Sequence, residues 1–321
     1  MKNSINILNL SRLLAGVYEA ACKHSINYFQ HWVFLYLQNH IEFDSAIWSI
    51  NNTNDKLHSS HIAFNIPENF IENLERAKAN DILIREMSLN PGRTLNSIDI
   101  NSLPNMPYNS ELYYKYSIAH TLATLIPEER LKTFHAFLIS RSEKNNFFSE
   151  RERQLIQAII PHIIQAWRIN CHFFLNISAI KEVSNQPCKV ALVDYQGGIQ
   201  QAIEGFSNIL KQEWKSFNGY KLPSELIERL IRNRTKIFKG NYISVTATYF
   251  QYLVLLQVRE LSPLETLTPR ERQVAISYSQ GKSYKEIAKE LSVAPSTVRN
   301  HLQNIYSNLK INSKAQLAQL L

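Results

Sequence analysis

The chain has 321 residues, 45% hydrophobic and 19% charged, with 8 Gly and 11 Pro; this excludes disordered and collagen-like classes and leaves room for two or three folded units. Thirty-five Lys+Arg against 27 Asp+Glu give a net charge of +8, which favours a polyanionic partner. The apolar run HWVFLYL at 31 to 37 is far shorter than the ~20 residues a membrane span requires, and the opening MKNSINILNLSRLL lacks the cleavage pattern of a secretory signal, so a cytoplasmic protein with no membrane contact is expected.

In chain order, INYFQHWVFLYLQNH predicts a helix packed on most sides and FDSAIWSI a strand after it. PENFIENLERAKANDILIREM has the apolar spacing of one helix, stopped by the turn signal NPGRT. Two β-prone runs follow, YSIAHTLATLI and LKTFHAFLISR. A long helix then starts at a capping box of Ser149 and Glu152, and Pro161 is expected to kink or interrupt it after Ile160.

Two seams, SNQPCK (184 to 189) and RELSPLETLTP (259 to 269), divide the chain into 1–183, 184–260 and 261–321, with no internal repeat. The middle segment opens with an apolar strand ending at Asp194, a turn at Gly197 and Gly198, a short strand and a helix over EGFSNILKQEW. Two more strand-like stretches lie in NYISVTATYFQYLVLLQVRE, the second alternating Phe250, Tyr252, Val254, Leu256 and Val258.

The last segment is densely punctuated. Thr268, Pro269 and Glu271 place an N-cap, a first-turn proline and a reciprocal acid in register, opening a helix that Gly281 stops. Ser283 and Glu286 repeat the capping box ahead of YKEIAKEL, whose inner residues are Ile287, Ala288 and Leu291, and Ser292 and Val293 turn the chain. A third helix runs from Pro295 to about Lys310, and Ser313 with Gln316 caps a fourth. Val298, Leu302, Ile305 and Leu309 form the buried stripe of the third helix, so Ser296, Arg299, Asn300, Gln303 and Ser307 project outward. Arg suits guanine O6 and N7, and Asn or Gln suits adenine N6 and N7, in the major groove of double-stranded DNA. The segment 262 to 321 also holds eight Lys/Arg against four Glu, half the net charge in under a fifth of the chain.

LTPRE, KEIA, STVRNHL, IYSNLKI and NSKAQL, in that order, resemble the LuxR/FixJ-type helix-turn-helix domain over nearly all of 264 to 321. The resemblance implies base contacts from Arg299, Asn300 and Gln303, phosphate contacts near Lys285, Ser296 and Thr297, and dimerisation through the fourth helix with Leu317 and Leu321. One departure is Ala294, which stands where the family usually has a serine cap. Residues 1 to 178 resemble, in IAHTLATLIPEERLKTFHAFLISRSEKNNFFSERERQLIQAIIPHIIQAWRIN, the second half of GAF-like domains found ahead of LuxR-type output domains. The start of the middle segment resembles a reduced PAS domain, departing from it at Ile203 and Glu204; a plain α/β connector is the other reading. The expected fold class is α+β: a GAF-like/PAS-like sensory region followed by an all-α four-helix LuxR-type unit. The expected protein is a transcriptional regulator, a homodimer on DNA controlled by a small-molecule effector or protein signal, with RNA polymerase as a further partner.

INILNLSRLLAG has no acidic pair for a phosphoacceptor receiver, and the eight glycines form no phosphate-binding loop. Trp32 and Trp48 do not form the Trp, Tyr and Asp cluster of an acyl-homoserine-lactone receptor, which stays an alternative beside a pure protein-interaction module. His58, His61, His120 and His135 with Asp44, Asp55 and Asp81 show no catalytic or metal-binding spacing; His120 reads as a satisfied structural residue. Cys22, Cys171 and Cys188 are too widely separated for a disulfide framework or zinc knuckle and read as isolated buried thiols. No catalysis, metal or cofactor is expected.

Overall fold

The computed structural model describes residues 7–52, 59–77, 80–97, 110–129, 132–180 and 188–320. The first unit holds helices α1 (Ile7–Lys23) and α2 (Phe29–Gln38), strands β1 (Ser45–Asn52) and β2 (Ser59–Phe64), helices α3 (Glu68–Ala77) and α4 (Ile82–Leu89), β3 (Thr94–Asn96), α5 (Ser110–Lys115), β4 (His120–Glu128) and β5 (Thr133–Arg141). The strands form one antiparallel sheet in the order β2-β1-β5-β4-β3. Alternation along β1 sends Trp48 and Ile50 to one face and Ile47 to the other, because successive side chains of a strand point to opposite sides. The Trp48 face joins Phe137, Ile139 and Leu122 in a core shared with α1 and α2, and the Ile47 face joins Ala123 and Leu138 beneath α3, α4 and α5. The sheet is therefore covered on both sides.

Helix α6 (Glu150–Ile180) connects this unit to the next. At 31 residues it is about 46 Å long. Its start is capped as the sequence predicts, with Ser149 Oγ accepting from the Glu152 N–H at 3.3 Å and the Glu152 carboxylate accepting from the Ser149 N–H at 2.7 Å. Helix α1 lies alongside in the same direction: Tyr18 meets His162 at 2.9 Å, and the Asn170 amide donates to the carbonyls of Ala21 and His24 at 2.8 Å each.

The second unit contains β6 (Lys189–Val193), β7 (Ile199–Ala202), α7 (Phe206–Glu213), α8 (Ser224–Leu226) widening into a π-helical turn over Ile227–Arg232, β8 (Ile237–Lys239), β9 (Ile243–Tyr249) and β10 (Val254–Glu260). Its antiparallel sheet has the order β7-β6-β10-β9-β8, which repeats the first sheet strand for strand. Val254, Leu256 and Val258 pack beneath α7 and α8, while Leu253, Leu255, Val190 and Leu192 on the opposite face join the core built on α6. Asp194 ends β6 by accepting from the N–H groups of Gln196 and Gly198 at 2.8 and 2.9 Å. A Cβ at Gly198 would fall 2.5 Å from Asp194 Oδ2, so a side chain there would have to displace the carboxylate that closes the turn.

Several expectations are corrected. The stretch 67 to 87 is two helices, α3 and α4: Asp81 accepts from the Ile84 N–H at 3.0 Å and so caps a new helix start. Helix α6 is not interrupted at Pro161: Pro161 lies on the exposed side, while the flanking Ile159, Ile160, Ile163 and Ile164 are buried and hold the helix from its inner face. Cys22 is exposed, and only Cys171 and Cys188 are buried thiols. His120 Nε2 lies 2.8 Å from the Lys144 carbonyl, but its Nδ1 is buried without a partner, so one nitrogen only is satisfied. Residues 184–187 of the first seam, with Asp55 and His58, lie outside the described residues. No helix among the described residues is long and apolar enough to cross a membrane.

Candidate nucleic-acid interface

The C-terminal unit holds α9 (Pro269–Ser279), α10 (Tyr284–Glu290), α11 (Pro295–Leu309) and α12 (Lys314–Gln319). Each boundary has a local cause. Thr268 Oγ1 accepts from the Glu271 N–H at 3.3 Å and the Glu271 carboxylate accepts from the Thr268 N–H at 3.0 Å. At the other end of α9, Gly281 at φ +100° lets its own N–H reach the Tyr278 carbonyl and that of Lys282 reach Ser277, satisfying two orphan acceptors. Ser283 and Glu286 form the second box, in which the hydrogen bonds from Ser283 hold the exposed Glu286 carboxyl below its ordinary range. Helix α10 closes in the same way on Ser292 at φ +53°, with Val293 N–H donating to the Ala288 carbonyl at 3.0 Å. Ser313 caps α12 by accepting from Gln316 N–H at 3.2 Å.

Ala294 begins α11 with no side-chain cap; Pro295 sets the first turn. The helix is held from beneath: Val298, Leu302 and Ile305 pack with Val274, Ala275, Ile287, Ala288 and Leu317, and Leu291 and Leu309 pack half-buried at the margin. Arg270 on α9 donates to the Leu291 carbonyl at 2.6 Å, tying the first helix to the turn that aims α11.

On the outer side, Arg299, Asn300 and Gln303 are all exposed, as are Ser296, Ser307 and Lys285, while Thr297 is half-buried. The aliphatic stripe and the polar strip thus occupy opposite faces of one helix. Among the described residues Asn300 and Gln303 make no side-chain hydrogen bond within the chain. Arg299 is ordered differently: its guanidinium lies 4.3 Å over the ring of Tyr284, and Nη2 donates to the Tyr284 hydroxyl at 2.8 Å. Tyr284 was not singled out by the sequence; its signal is an aromatic at the first position of α10, fifteen residues before Arg299.

The cations are not equivalent. Arg270 and Arg272 are committed to carbonyls of Leu291 and Leu264, and Lys282 pairs with Glu290 at 2.6 Å. Lys314 lies 4.5 Å over Tyr278. Lys285, Lys289 and Arg299 are left exposed on α10 and α11. Leu317 is fully buried in the domain's own core, so its side chain has no surface to offer a second copy; Leu320 beside it is 37% exposed, and Leu321 lies outside the described residues.

The stretch entering this unit is a folded bracket, which corrects the low-structure seam expected over 259 to 269. Pro263–Thr266 forms a 3-10 turn capped by Ser262. Arg259 on β10 grips Glu265 with two bonds of 2.7 and 2.8 Å, Lys239 on β8 donates to the Glu265 carbonyl at 2.8 Å, and Arg272 reaches the Leu264 carbonyl at 3.0 Å. The Arg259 hydrogen bonds pull the Glu265 carboxyl down to about 2.

Residues 265–321 match the family described as bacterial regulatory proteins, luxR family. This C-terminal segment is a LuxR-type helix-turn-helix domain. It is 44% identical over 55 residues to the transcriptional regulatory protein UhpA of Escherichia coli, covering 17% of this chain and 28% of that protein. It is 42% identical over 55 residues to the HTH-type transcriptional regulator GfsR of Streptomyces halstedii, covering 17% of this chain and 23% of that protein. A Mycobacterium tuberculosis HTH-type regulator shares 48% over 52 residues, 16% of this chain and 6% of that protein. The chain thus spans well under two thirds of these relatives, and the likeness is confined to the LuxR-type domain. Among solved structures, SdiA in complex with octanoyl-rac-glycerol covers 99% of this chain and 96% of its own at 12% identity and a TM-score of 0.40. The GAF domain of a Coxiella burnetii phosphoenolpyruvate-protein phosphotransferase covers 54% and 99% at 13% identity and 0.38. Likenesses of that size carry no argument about ligand or activity.

The acidic and histidine side chains of the first unit do not converge. Asp44 accepts from Ser142 N–H and Oγ at 2.7 Å each, Asp81 caps α4 and accepts from the Tyr113 hydroxyl at 2.9 Å, and His135 Nδ1 accepts from Trp48 Nε1 at 3.1 Å. Among the described residues no three His, Cys, Asp or Glu side chains are grouped to hold a metal ion.

Proposed function

We propose that the chain is a sequence-specific DNA-binding transcriptional regulator, not an enzyme, acting in the cytoplasm as a homodimer on double-stranded DNA. Helix α11 enters the major groove with Arg299 directed at guanine and Asn300 and Gln303 at adenine edges. Lys285, Ser296 and Thr297 lie toward phosphates, and α12 contributes to pairing of two copies through its exposed side rather than through Leu317. The observation that carries this reading is one strip: three long hydrogen-bonding tips, exposed together on a helix whose other face is locked into a core.

Segment 1–183, in the GAF-like reading, and segment 184–260, in the PAS-like one, form the sensory region, in which a small-molecule effector or a protein signal shifts the population of arrangements able to span two half-sites. The regulator then acts on RNA polymerase at the promoter. The folded bracket at Arg259 and Glu265 supports a direct mechanical link between the second sheet and the LuxR-type domain.

Titrating full-length protein with duplex at increasing salt tests the partner class. Phosphate neutralisation makes affinity fall by about 0.9 log unit per log unit of salt for each contact. A steep slope is expected; a flat one transfers the exposed strip to a protein partner.

A further inference from the structure

The LuxR-type domain does not exhaust the positive charge. Residues 1–183 hold 17 Lys+Arg and 17 Asp+Glu, residues 184–260 hold ten and six, and residues 261–321 hold eight and four. Half of the excess therefore lies in the second sheet unit, where it gathers along one border.

Arg229, Arg232, Arg234, Lys236 and Lys239 fall within eleven residues that form the π-helical turn, the following loop and the edge strand β8, which pairs only with β9. Residues 232–237 are all exposed, as is Lys239. Two of the cations are anchored on aromatic rings. Arg229 sits 5.7 Å over Phe238, and Arg234 sits 5.7 and 5.9 Å over Tyr195 and Tyr249. Glu225 and Glu228 pair with Arg229 and Arg232 at 3.9 and 3.0 Å, but these are exposed pairs one helical turn apart, which competing phosphates displace at little cost. Among the described residues no carboxylate pairs with Arg234, Lys236 or Lys239.

Lysines on an edge strand also discourage strand-to-strand association. That accounts for Lys239 but not for Arg232, Arg234 and Lys236, which precede the strand. The position of the band matters more. Lys239 donates to the Glu265 carbonyl, so the band ends on the bracket that leads into α9, and Arg259 holds that bracket to the sheet.

We propose that this border of the second unit is an additional contact to the DNA phosphate backbone, flanking the half-site that α11 reads. The proposal rests on the DNA-binding reading above and adds a sequence-independent footprint to it.

The test compares full-length wild type with the triple variant Arg232→Gln, Arg234→Gln, Lys236→Gln on two duplexes, one trimmed to the half-sites and one extended by about one helical turn on each side. On the extended duplex the variant should show a salt slope shallower by about 3 per bound chain, so that its loss of affinity between about 50 and 200 mM salt is roughly 40-fold smaller. On the trimmed duplex the two proteins should coincide. A charge-keeping variant, Arg232→Lys with Arg234→Lys, should retain the wild-type slope, which separates lost charge from disturbed folding. Equal slopes for wild type and triple variant on the extended duplex overturn the proposal and leave the band to an acidic protein surface. If wild type itself gives no salt-dependent complex with either duplex, the DNA-binding reading falls and this inference with it.

Discussion

The guanidinium of Arg299 is ordered before any partner arrives. Stacked on Tyr284 and bonded to its hydroxyl, it has fewer rotamers to lose when it meets a base edge. Tyr284→Ala should weaken discrimination at the base proposed for Arg299 by about 0.5–1 kcal/mol, the size of an exposed cation–π contact. Tyr284→Phe, which keeps the ring and removes only the acceptor, should lose less. Competition titrations with single-base operator variants give both numbers. Lys285 is exposed on α10; in the phosphate-contacting role proposed for it, Lys285→Ala should lower affinity for all sequences alike and reduce the salt slope by about 1, and a change of sequence preference would reassign it.

At the scale of the helix, the weak place is the start of α11. Ala294 has the extended backbone of an N-cap, φ −68° and ψ 145°, without a side chain to accept from the first free N–H groups. Ala294→Ser should stabilise the C-terminal unit by about 0.5–2 kcal/mol, and Thr268→Ala should destabilise it by a similar amount through loss of the reciprocal cap on α9. Thermal unfolding of the two variants checks both signs. These boundaries were legible in the sequence because caps are local: Thr268, Gly281, Ser283 and Ser313 act within four residues of themselves. The split between α3 and α4 was not, since apolar spacing continues across it and only Asp81 marks the new start. Nor was the continuity of α6, because the buried isoleucines on either side of Pro161 hold the helix through tertiary packing that the local sequence does not show.

The bracket before α9 shows the same limit. Its two prolines read as a loop, and nothing local announces that Arg259 will close on Glu265. With its folded-state carboxyl near 2 against an ordinary 4.5, Glu265 takes up a proton less readily in the folded chain than in the unfolded one. The bracket should therefore be intact above about pH 4.5 and loosen as pH falls from there toward 2. The protection factors of the 261–268 amides, taken against the intrinsic rate at each pH, should fall across that window in wild type, and an Arg259→Gln variant should already show low protection at neutral pH.

For the whole molecule, two sheets of identical strand order share the long helix α6, although the chain carries no repeated sequence. The first sheet encloses His135, 5% exposed, whose pKa burial lowers to about 4 from its ordinary 6.5. The unfolded chain then binds the proton first. Stability is complete above about pH 6.5 and is lost as pH falls from there toward 4. Urea midpoints of wild type should decline over that interval, and His135→Gln should flatten the decline; an unchanged slope would place the titrating group elsewhere. The sequence shows His135 only as one of several histidines, because its meaning comes from Trp48, 87 residues away in the chain.

Selection of bound duplexes from a random pool, run in parallel with full-length wild type and Arg299→Ala, tests the reading of bases by α11 most directly. Wild type should return a two-fold symmetric consensus with guanine at one position of each half-site. In Arg299→Ala that position alone should become degenerate, a loss of about 1–3 kcal/mol of discrimination. An unchanged consensus in the variant, or no consensus from wild type, contradicts it.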